Sequence, residues 1–382
     1  MSGNLRFYVL TGMLCLSFLF SSAQSNQRFE ITHQPYIQAL TDSSVSILWT
    51  TNRTSIAWVE LAPNDSTHFY QQERPKFFGA EYGFKSVDTV HRVDLTGLTP
   101  ATTYRYRVYS QEVLKHVGIR VEYGGTVATG VYRQQPLEFE TLGSDTDTRF
   151  VMINDIHGRN EVMNTLLDQS DLSESDFVIF NGDMASSLLS EKQMFDDFMD
   201  TAIKRFASEK PMYYSRGNHE TRGPFAVRYP RYFPTPTGEL YFMFRQGDAA
   251  FIVLDCGEDK PDSDIEYSGI VDMDRYRSVQ AKWLAQMVKS PEFESARYKI
   301  AICHMPPFGG WHGELEIMEK FVPILNKAGV QIMLSGHLHR HVIRQADSEI
   351  QFPVVVNSNN NVLVANFNEQ SGVIRIIDLE GK

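Results

Sequence analysis

The chain has 382 residues, of which 42% are apolar and 22% are charged. This composition is that of a folded globular protein and excludes a disordered or fibrous chain. The 36 lysines and arginines against 47 aspartates and glutamates give a net charge of −11, which argues against nucleic acid as the main partner because binding to a phosphate backbone requires a basic face.

The first residues have the pattern of an export signal. Arg6 is followed by an apolar run at residues 7–20 and then by small residues up to Ala23. The run is shorter than the ~20 residues that a membrane-spanning helix needs. We therefore predict a cleaved signal peptide at residues 1–23 in preference to an uncleaved anchor helix, and a secreted or periplasmic protein without a membrane span.

Residues 29–141 alternate apolar and polar side chains in the manner of strands, for example at residues 45–50 and 57–61. Turn residues separate these runs at short intervals, which predicts an all-β sandwich. Tyr104 follows a Leu-Thr-Pro turn at the head of a strand, as in a tyrosine corner. The region resembles a fibronectin type III domain and, more closely, the N-terminal domain of purple acid phosphatases.

From residue 149 onwards, buried strands alternate with amphipathic helices, which predicts right-handed crossovers and a largely parallel sheet. The region at 241–255 is predicted as a hairpin, and strands return at 354–377. We expect two packed sheets with helices outside, so that a four-layer α/β/β/α domain at residues 149–382 follows the sandwich. The other predicted elements are strands at 149–154, 176–180, 211–215 and 299–303, and helices at 160–169, 191–206, 278–288 and 314–326.

Two cysteines remain after the signal peptide, Cys256 and Cys303, each at the end of a predicted buried strand. An exported protein of this size with two cysteines is not a disulfide scaffold. We favour two buried free thiols, and a single bridge stays open if the two strands are neighbours.

Five short polar blocks each follow a predicted strand, where sites form in α/β sheets. Their carboxylates, imidazoles and one amide suit Zn, Fe, Mn or Ni better than Ca or Mg. Singly each block is a weak signal, but together they indicate a metal centre. The blocks are Asp155-Ile-His157, Gly182-Asp183, Gly217-Asn218-His219-Glu220, Cys303-His304 and Gly336-His337-Leu338-His339.

This set of blocks resembles that of the calcineurin-like metallophosphoesterase superfamily. With the sandwich included, the chain resembles purple-acid-phosphatase-like members of that superfamily. The resemblance implies two divalent or mixed-valence transition-metal ions (Fe, Zn or Mn) bridged by Asp183, with His219 facing the phosphate and assisting the transition state. The implied ligands are Asp155, His157, Asp183 and His339 for the first ion, and Asp183, Asn218, His304 and His337 for the second.

The resemblance implies an exported enzyme that hydrolyses small phosphate esters, monoesters above all, by attack of a metal-bound hydroxide. A phosphodiesterase or nucleotidase of the same superfamily is the first alternative. A catalytically inactive cell-surface binding protein is the second, although an inactive site should lack a ligand and none is missing. His312, in a glycine-flanked loop, is a further catalytic candidate that could protonate the leaving group or line the pocket. The alternative is that it belongs to a plain surface loop. Glu220 could orient His219 or cap the segment that follows.

At two positions the chain departs from purple acid phosphatases, which carry a Gly two residues after the first Asp and an iron-binding Tyr three residues after the bridging Asp. Here these positions are His157 and Ser186. One ligand is lost and one is gained. Since neutral imidazole suits divalent ions, we predict a centre without tyrosinate-to-iron absorption that is active nearer neutral pH.

Overall fold

The computed structural model describes residues 28–143 and 147–382, so the predicted signal peptide lies outside it. None of the helices in these two ranges has the length and apolar character needed to cross a membrane. The N-terminal part consists of strands and turns. Its strands are β1 (Ile31–Gln38), β2 (Ser44–Pro63), β3 (Lys76–Phe78), β4 (Ala80–Glu81), β5 (Phe84–Lys85), β6 (Asp88–Thr96), β7 (Thr103–Val117), β8 (Arg120–Ala128) and β9 (Leu137–Glu140).

The long strand β2 organises this part. Its first half pairs mainly with β1 and β6, and its second half with β3 and β7. The layers enclose an apolar core that includes Trp49, Val59 and Tyr106, all fully buried. The Tyr104 hydroxyl accepts a hydrogen bond from the Thr99 N–H at 2.9 Å, which is the contact of a tyrosine corner. The predicted sandwich and its corner are therefore confirmed.

The second part alternates strands and helices as predicted. Its strands are β10 (Thr148–Ile153), β11 (Phe177–Asn181), β12 (Met212–Ser215), β13 (Phe242–Gln246), β14 (Ala249–Leu254), β15 (Tyr298–Cys303), β16 (Ile332–Ser335), β17 (Val342–Arg344), β18 (Val354–Val356), β19 (Asn361–Phe367) and β20 (Gly372–Asp378). Its helices are α1 (Asn160–Gln169), α2 (Glu191–Met194), α3 (Asp200–Ala202), α4 (Met273–Met287), α5 (Pro291–Glu294), α6 (His312–Lys320) and α7 (Val322–Ala328).

These strands form two sheets, one ordered β12-β11-β10-β19-β20 and the other β13-β14-β15-β16-β18-β17. In the first sheet β12, β11 and β10 are parallel, whereas β19 and β20 are antiparallel to their neighbours. In the second sheet the central strands are parallel and both edge strands are antiparallel. Phe150, Phe177 and Phe251 lie in the apolar core between the sheets. A separate core covers the outer face of each sheet, where the helices pack. The predicted α/β/β/α layering is confirmed.

Some predicted elements differ in detail. The helix expected at 191–206 is α2 and α3 joined to π-helical turns at Phe195–Met199 and Ile203–Ala207. The helix expected at 314–326 is two helices, because Pro323 lies in the first turn of α7 and has no N–H to continue a preceding helix. Cys256 and Cys303 are buried and free, as favoured from the sequence.

The N-terminal part packs directly against the helical run at 191–207. Tyr36 is fully buried in the apolar core of that layer, and its hydroxyl donates to the Tyr232 carbonyl at 3.0 Å. The Tyr106 hydroxyl donates to the Ser208 carbonyl at 2.6 Å. The His33 ring stacks on Phe195 with 3.6 Å between ring centroids. The sandwich thus supplies part of the core of the α/β part.

Candidate metal centre

The seven predicted ligands meet where parallel strands end. Asp155 and His157 follow β10, Asp183 follows β11 and Asn218 follows β12, all in one sheet. His304 follows β15, and the pair His337 and His339 follows β16, in the other sheet. Because the sheets are packed face to face, their strand ends bring the two sets together.

Two groups of possible ligand atoms consist of predicted ligands alone. The first comprises Asp155, His157 and His339, and the second Asp183, His304 and His337, with the atoms of each group within 4.8 Å of one another. A third group, His157, Asp183 and His219, overlaps both and includes His219. His339 Nε2 lies 3.1 Å from Asp155 Oδ1. His304 Nε2 lies 3.1 Å from Asp183 Oδ2 and 3.9 Å from Asp155 Oδ1. The two groups are therefore adjacent and form one continuous cluster.

The backbone at these positions is unusual. Asp155, His157, Asp183, His337 and His339 all have φ between 50° and 71°, in the left-handed region that non-glycine residues seldom adopt. Each such residue costs on the order of 1–3 kcal/mol. Strain of this kind at five ligand positions is typical of a functional site, because it aims side chains that a relaxed backbone would direct elsewhere.

Glycine is required at two positions because the side chains of proposed ligands lie very close to the backbone there. A Cβ on Gly217 would lie 2.1 Å from Asp183 Oδ1, and one on Gly182 would lie 2.4 Å from His304 Nδ1. Neither distance is sterically possible without movement of a ligand. The glycines of the polar blocks thus allow neighbouring strand ends to pack against Asp183 and His304.

Three buried polar atoms in the cluster have no hydrogen-bond partner among the described residues. They are Asp155 Oδ1, Asn218 Oδ1 and His304 Nε2. His304 Nε2 is near Asp183 but not aligned for a hydrogen bond, and its Nδ1 lies 2.7 Å from the Asn181 carbonyl, to which it donates. Unpaired buried polar atoms are costly. A carboxylate oxygen, an amide oxygen and a free imidazole nitrogen are suitable ligands for transition metals, so these residues fit a metal centre.

The electrostatics of the cluster agree with this interpretation. Burial lowers the pKa of His304, but the Asp183 and Asp155 carboxylates outweigh it and raise that pKa to about 10. Burial raises the pKa of Asp183, yet His304 and His219 bring it below its ordinary value. Burial and the charge of His304 lower the pKa of His337 to about 4. Positive charge at this point therefore stabilises the two buried carboxylates, and a bound metal ion would supply such charge.

His219 lies beside the cluster, in contact with Asp183. Its backbone N–H donates to Asp183 Oδ1 at 3.0 Å, and its Nε2 is 3.9 Å from Asp183 Oδ2. Its Nδ1 lies 2.8 Å from the Ser186 carbonyl, which can only accept, so Nδ1 carries a proton. The Ser186 hydroxyl lies 3.3 Å from His157 Nδ1. Ser186 therefore holds two histidines, a role that the sequence did not indicate.

Glu220 has neither of the roles considered from the sequence. Its carboxylate is fully buried and accepts four hydrogen bonds, two at each oxygen. Burial and the nearby Asp183 raise its pKa. It connects the loops that carry Asp183 and Asn218. The donors are the Asp183, Ala185 and Gly217 N–H groups, at 2.9, 3.2 and 3.0 Å, and the Tyr214 hydroxyl at 2.9 Å.

His312 is not brought into this cluster. Its Nε2 lies 2.8 Å from Asp274 Oδ1 on α4, so the expectation of a proton donor gains no support from the structure. Asp274, His312 and Glu316 form a separate group of possible ligand atoms. Arg277 bonds both carboxylates of that group, at 2.9 and 2.7 Å. Lys320 also pairs with Glu316, so both carboxylates are already paired with cationic side chains.

Comparison with known proteins identifies two regions of the chain. Residues 148–341 match the family model of the calcineurin-like phosphoesterases, and residues 33–119 match that of the purple acid phosphatase N-terminal domain. Two proteins of Arabidopsis thaliana are similar to this chain. Probable purple acid phosphatase 20 is 22% identical over 76% of the chain, and purple acid phosphatase 18 is 21% identical over 81%.

The chain spans 66% of the length of each of these relatives, just under two thirds. Among solved structures, a purple acid phosphatase isolated from yellow lupin (Lupinus luteus) seeds has the same fold. It superposes with a TM-score of 0.65 over 91% of this chain and 72% of its own, at 14% identity.

Proposed function

This chain belongs to the calcineurin-like phosphoesterase family, and we propose that it is an exported enzyme that hydrolyses small phosphate monoesters with two metal ions. The observation that carries the proposal is the set of three buried atoms without partners around Asp183, namely Asp155 Oδ1, Asn218 Oδ1 and His304 Nε2. The apolar run at residues 7–20 supports export.

In this proposal Asp183 would contribute a ligand to both ions, because a carboxylate has two oxygens that can each bind a cation. Two such ions supply Lewis acidity and an activated water for in-line displacement at phosphorus. The chain's part is to hold them. The first ion is assigned to Asp155, His157, Asp183 and His339, and the second to Asp183, Asn218, His304 and His337.

His219 is proposed to act on the substrate without binding metal. Since its Nδ1 donates to the Ser186 carbonyl, its Nε2, which lies 3.3 Å from Arg222 Nη1, is the ring nitrogen assigned to the phosphoryl group. A protonated Nε2 can donate a hydrogen bond to a phosphoryl oxygen or a proton to the departing alcohol. The ring is 29% exposed, so a substrate can reach it.

An inactive binding protein is a weaker proposal. A protein that had lost its catalytic activity would no longer need a strained backbone at its ligand positions. Five of the seven proposed ligands nevertheless have left-handed backbone conformations. A binding surface on the sandwich gives no reason for that strain.

The test uses the purified protein loaded separately with Mn, Zn or Fe. We expect about two ions per chain by elemental analysis and turnover of phenyl phosphate. Asp183→Ala should lose both, because it removes a ligand of each ion. Asp42→Ala, which changes an exposed carboxylate of the sandwich, is the matched control. A wild-type protein without metal, or an active Asp183→Ala variant, would refute the proposal.

A further inference from the structure

A large cleft is lined in part by Arg222, whose guanidinium contacts His219 beside the metal centre. It has a volume of about 760 Å³ and lies between the segment 221–230, which follows His219, and the segment 266–276, which leads into α4. Clefts of about 300–1,000 Å³ are the usual size of small-molecule sites. None of the seven proposed metal ligands lines it. It is therefore a space distinct from the cluster, of a size that can hold a small organic group.

Arg222 connects the cleft to the catalytic cluster. It lines the cleft, and its Nη1 lies 3.3 Å from His219 Nε2 and 3.4 Å from Nδ1. Its Nε and Nη2 donate to the two carboxylate oxygens of Glu258, each at 3.1 Å. Glu258 is itself buried, and the Tyr267 hydroxyl donates to it at 3.0 Å. This forked pairing fixes the guanidinium at the border between His219 and the cleft.

The cleft has an apolar surface. Val227 and Ile270 line it and are 85% and 88% exposed. The rings of Tyr267 and Tyr276 also line it, and their hydroxyls are already bonded to Glu258 and Asp255. What these tyrosines offer to the cleft is therefore ring surface and not a free hydroxyl.

The charged groups of the cleft disfavour a second anion. Its lining includes four carboxylates and three arginines. Of the arginines, Arg216 is paired with buried Asp255, Arg222 with Glu258, and Arg275 with Asp272. Glu239 adds a further negative charge. A ligand that carries another phosphate would meet no unpaired arginine in this lining.

We propose that this cleft binds the alcohol part of the substrate, and that the preferred substrates are monoesters of apolar alkyl or aryl alcohols without a second anionic group. The inference rests on the proposed function, since it assumes that the phosphoryl group lies against His219. The ester oxygen then points past Arg222, and the alcohol lies between Val227 and Ile270.

The test compares methyl phosphate with n-hexyl phosphate, whose alcohols differ in apolar surface and little in reactivity. Burial of each methylene contributes about a four-fold gain, or ~0.8 kcal/mol. We expect kcat/KM of the metal-loaded protein to be at least ten-fold higher for the hexyl ester. The bisphosphate of 1,6-hexanediol should lose most of this gain.

Variants locate the effect. Ile270→Asp and Val227→Asp should reduce the hexyl-to-methyl ratio towards one. Ile119→Asp changes a fully exposed isoleucine of the sandwich in the same way and should keep the wild-type ratio. A wild-type ratio near one, a ratio unchanged in both cleft variants, or an equal fall in Ile119→Asp would overturn the inference.

Binding separates this inference from the proposed function. Hexylphosphonate and methylphosphonate cannot be hydrolysed, and their Kd values with the Mn-loaded protein should show the same preference in calorimetry. If no ester is turned over but hexylphosphonate binds at least ten-fold more tightly, the function fails and the cleft assignment stands. Turnover together with equal Kd values overturns the cleft assignment alone.

Discussion

Glu220→Gln is the substitution that most directly tests how the fold holds the metal centre. The side chains have the same shape, but one acceptor oxygen becomes an NH₂ donor. In the wild-type protein both oxygens are fully used, Oε1 by Ala185 N–H and the Tyr214 hydroxyl, and Oε2 by Asp183 N–H and Gly217 N–H. Whichever way the amide turns, some of these donors lose their acceptor.

The smaller loss places the NH₂ at the Oε1 position. The Tyr214 hydroxyl can then rotate and accept, which leaves the Ala185 N–H buried without a partner. One such group costs about 1–3 kcal/mol. At 2–4 °C per kcal/mol for a domain of this size, the melting temperature of the metal-free protein should fall by roughly 2–12 °C. Since Asp183 and Ala185 lie in the same loop, metal affinity should fall by about 10–100-fold, the usual effect of an outer-sphere change.

The assay is thermal unfolding of the metal-free protein followed by metal titration. Glu161→Gln, on an exposed face of α1, provides the matched control and should leave both quantities unchanged. A Glu220→Gln variant with wild-type melting temperature and metal affinity would refute this account. A lower melting temperature with unchanged affinity would limit Glu220 to a structural role.

Three further predictions concern His219, His91 and Ser186. His219→Ala should keep both metal ions and lose roughly 10²–10⁴-fold in turnover; loss of metal in the elemental analysis would make His219 a ligand instead. Burial lowers the pKa of His91 to about 4, so the native state binds fewer protons than the unfolded state as pH falls below 6.5. Between pH 7.5 and 5 the free energy of unfolding, measured with urea, should therefore fall by about 2 kcal/mol more in the wild type than in His91→Gln. The exposed control His116→Gln should behave as the wild type. Because the resemblance to purple acid phosphatases implies that Ser186 replaces their iron-binding tyrosine, the iron-loaded protein should show no intense visible band; a band that Tyr214→Phe removes would contradict this.

The layering and the cluster could be predicted from sequence because their signals are local. Each proposed ligand follows an apolar strand within a few residues, and strand ends in such sheets meet at one edge. His304, for example, directly follows Cys303 at the end of β15.

The supporting contacts could not be predicted, because they join residues that are far apart in the chain. His312 pairs with Asp274, 38 residues away on another helix, and nothing in the periodicity of either helix indicates that contact. Glu220 bonds the N–H groups of Asp183 and Ala185, which lie on another loop. A side chain that accepts hydrogen bonds from backbone N–H groups cannot be recognised from the sequence, since every residue except proline has a backbone N–H group.

The contacts of Tyr36 and Tyr106 with the α/β part have a consequence for how this architecture can evolve. Domains joined only by a linker can be exchanged between proteins by recombination, since few contacts cross their boundary. Here the sandwich contributes Tyr36 to the core around Phe195, and Tyr106 bonds the end of the same helical run. A transplanted sandwich would have to bring a matching aromatic surface with it. The two parts are therefore expected to be inherited together, as one unit of exchange.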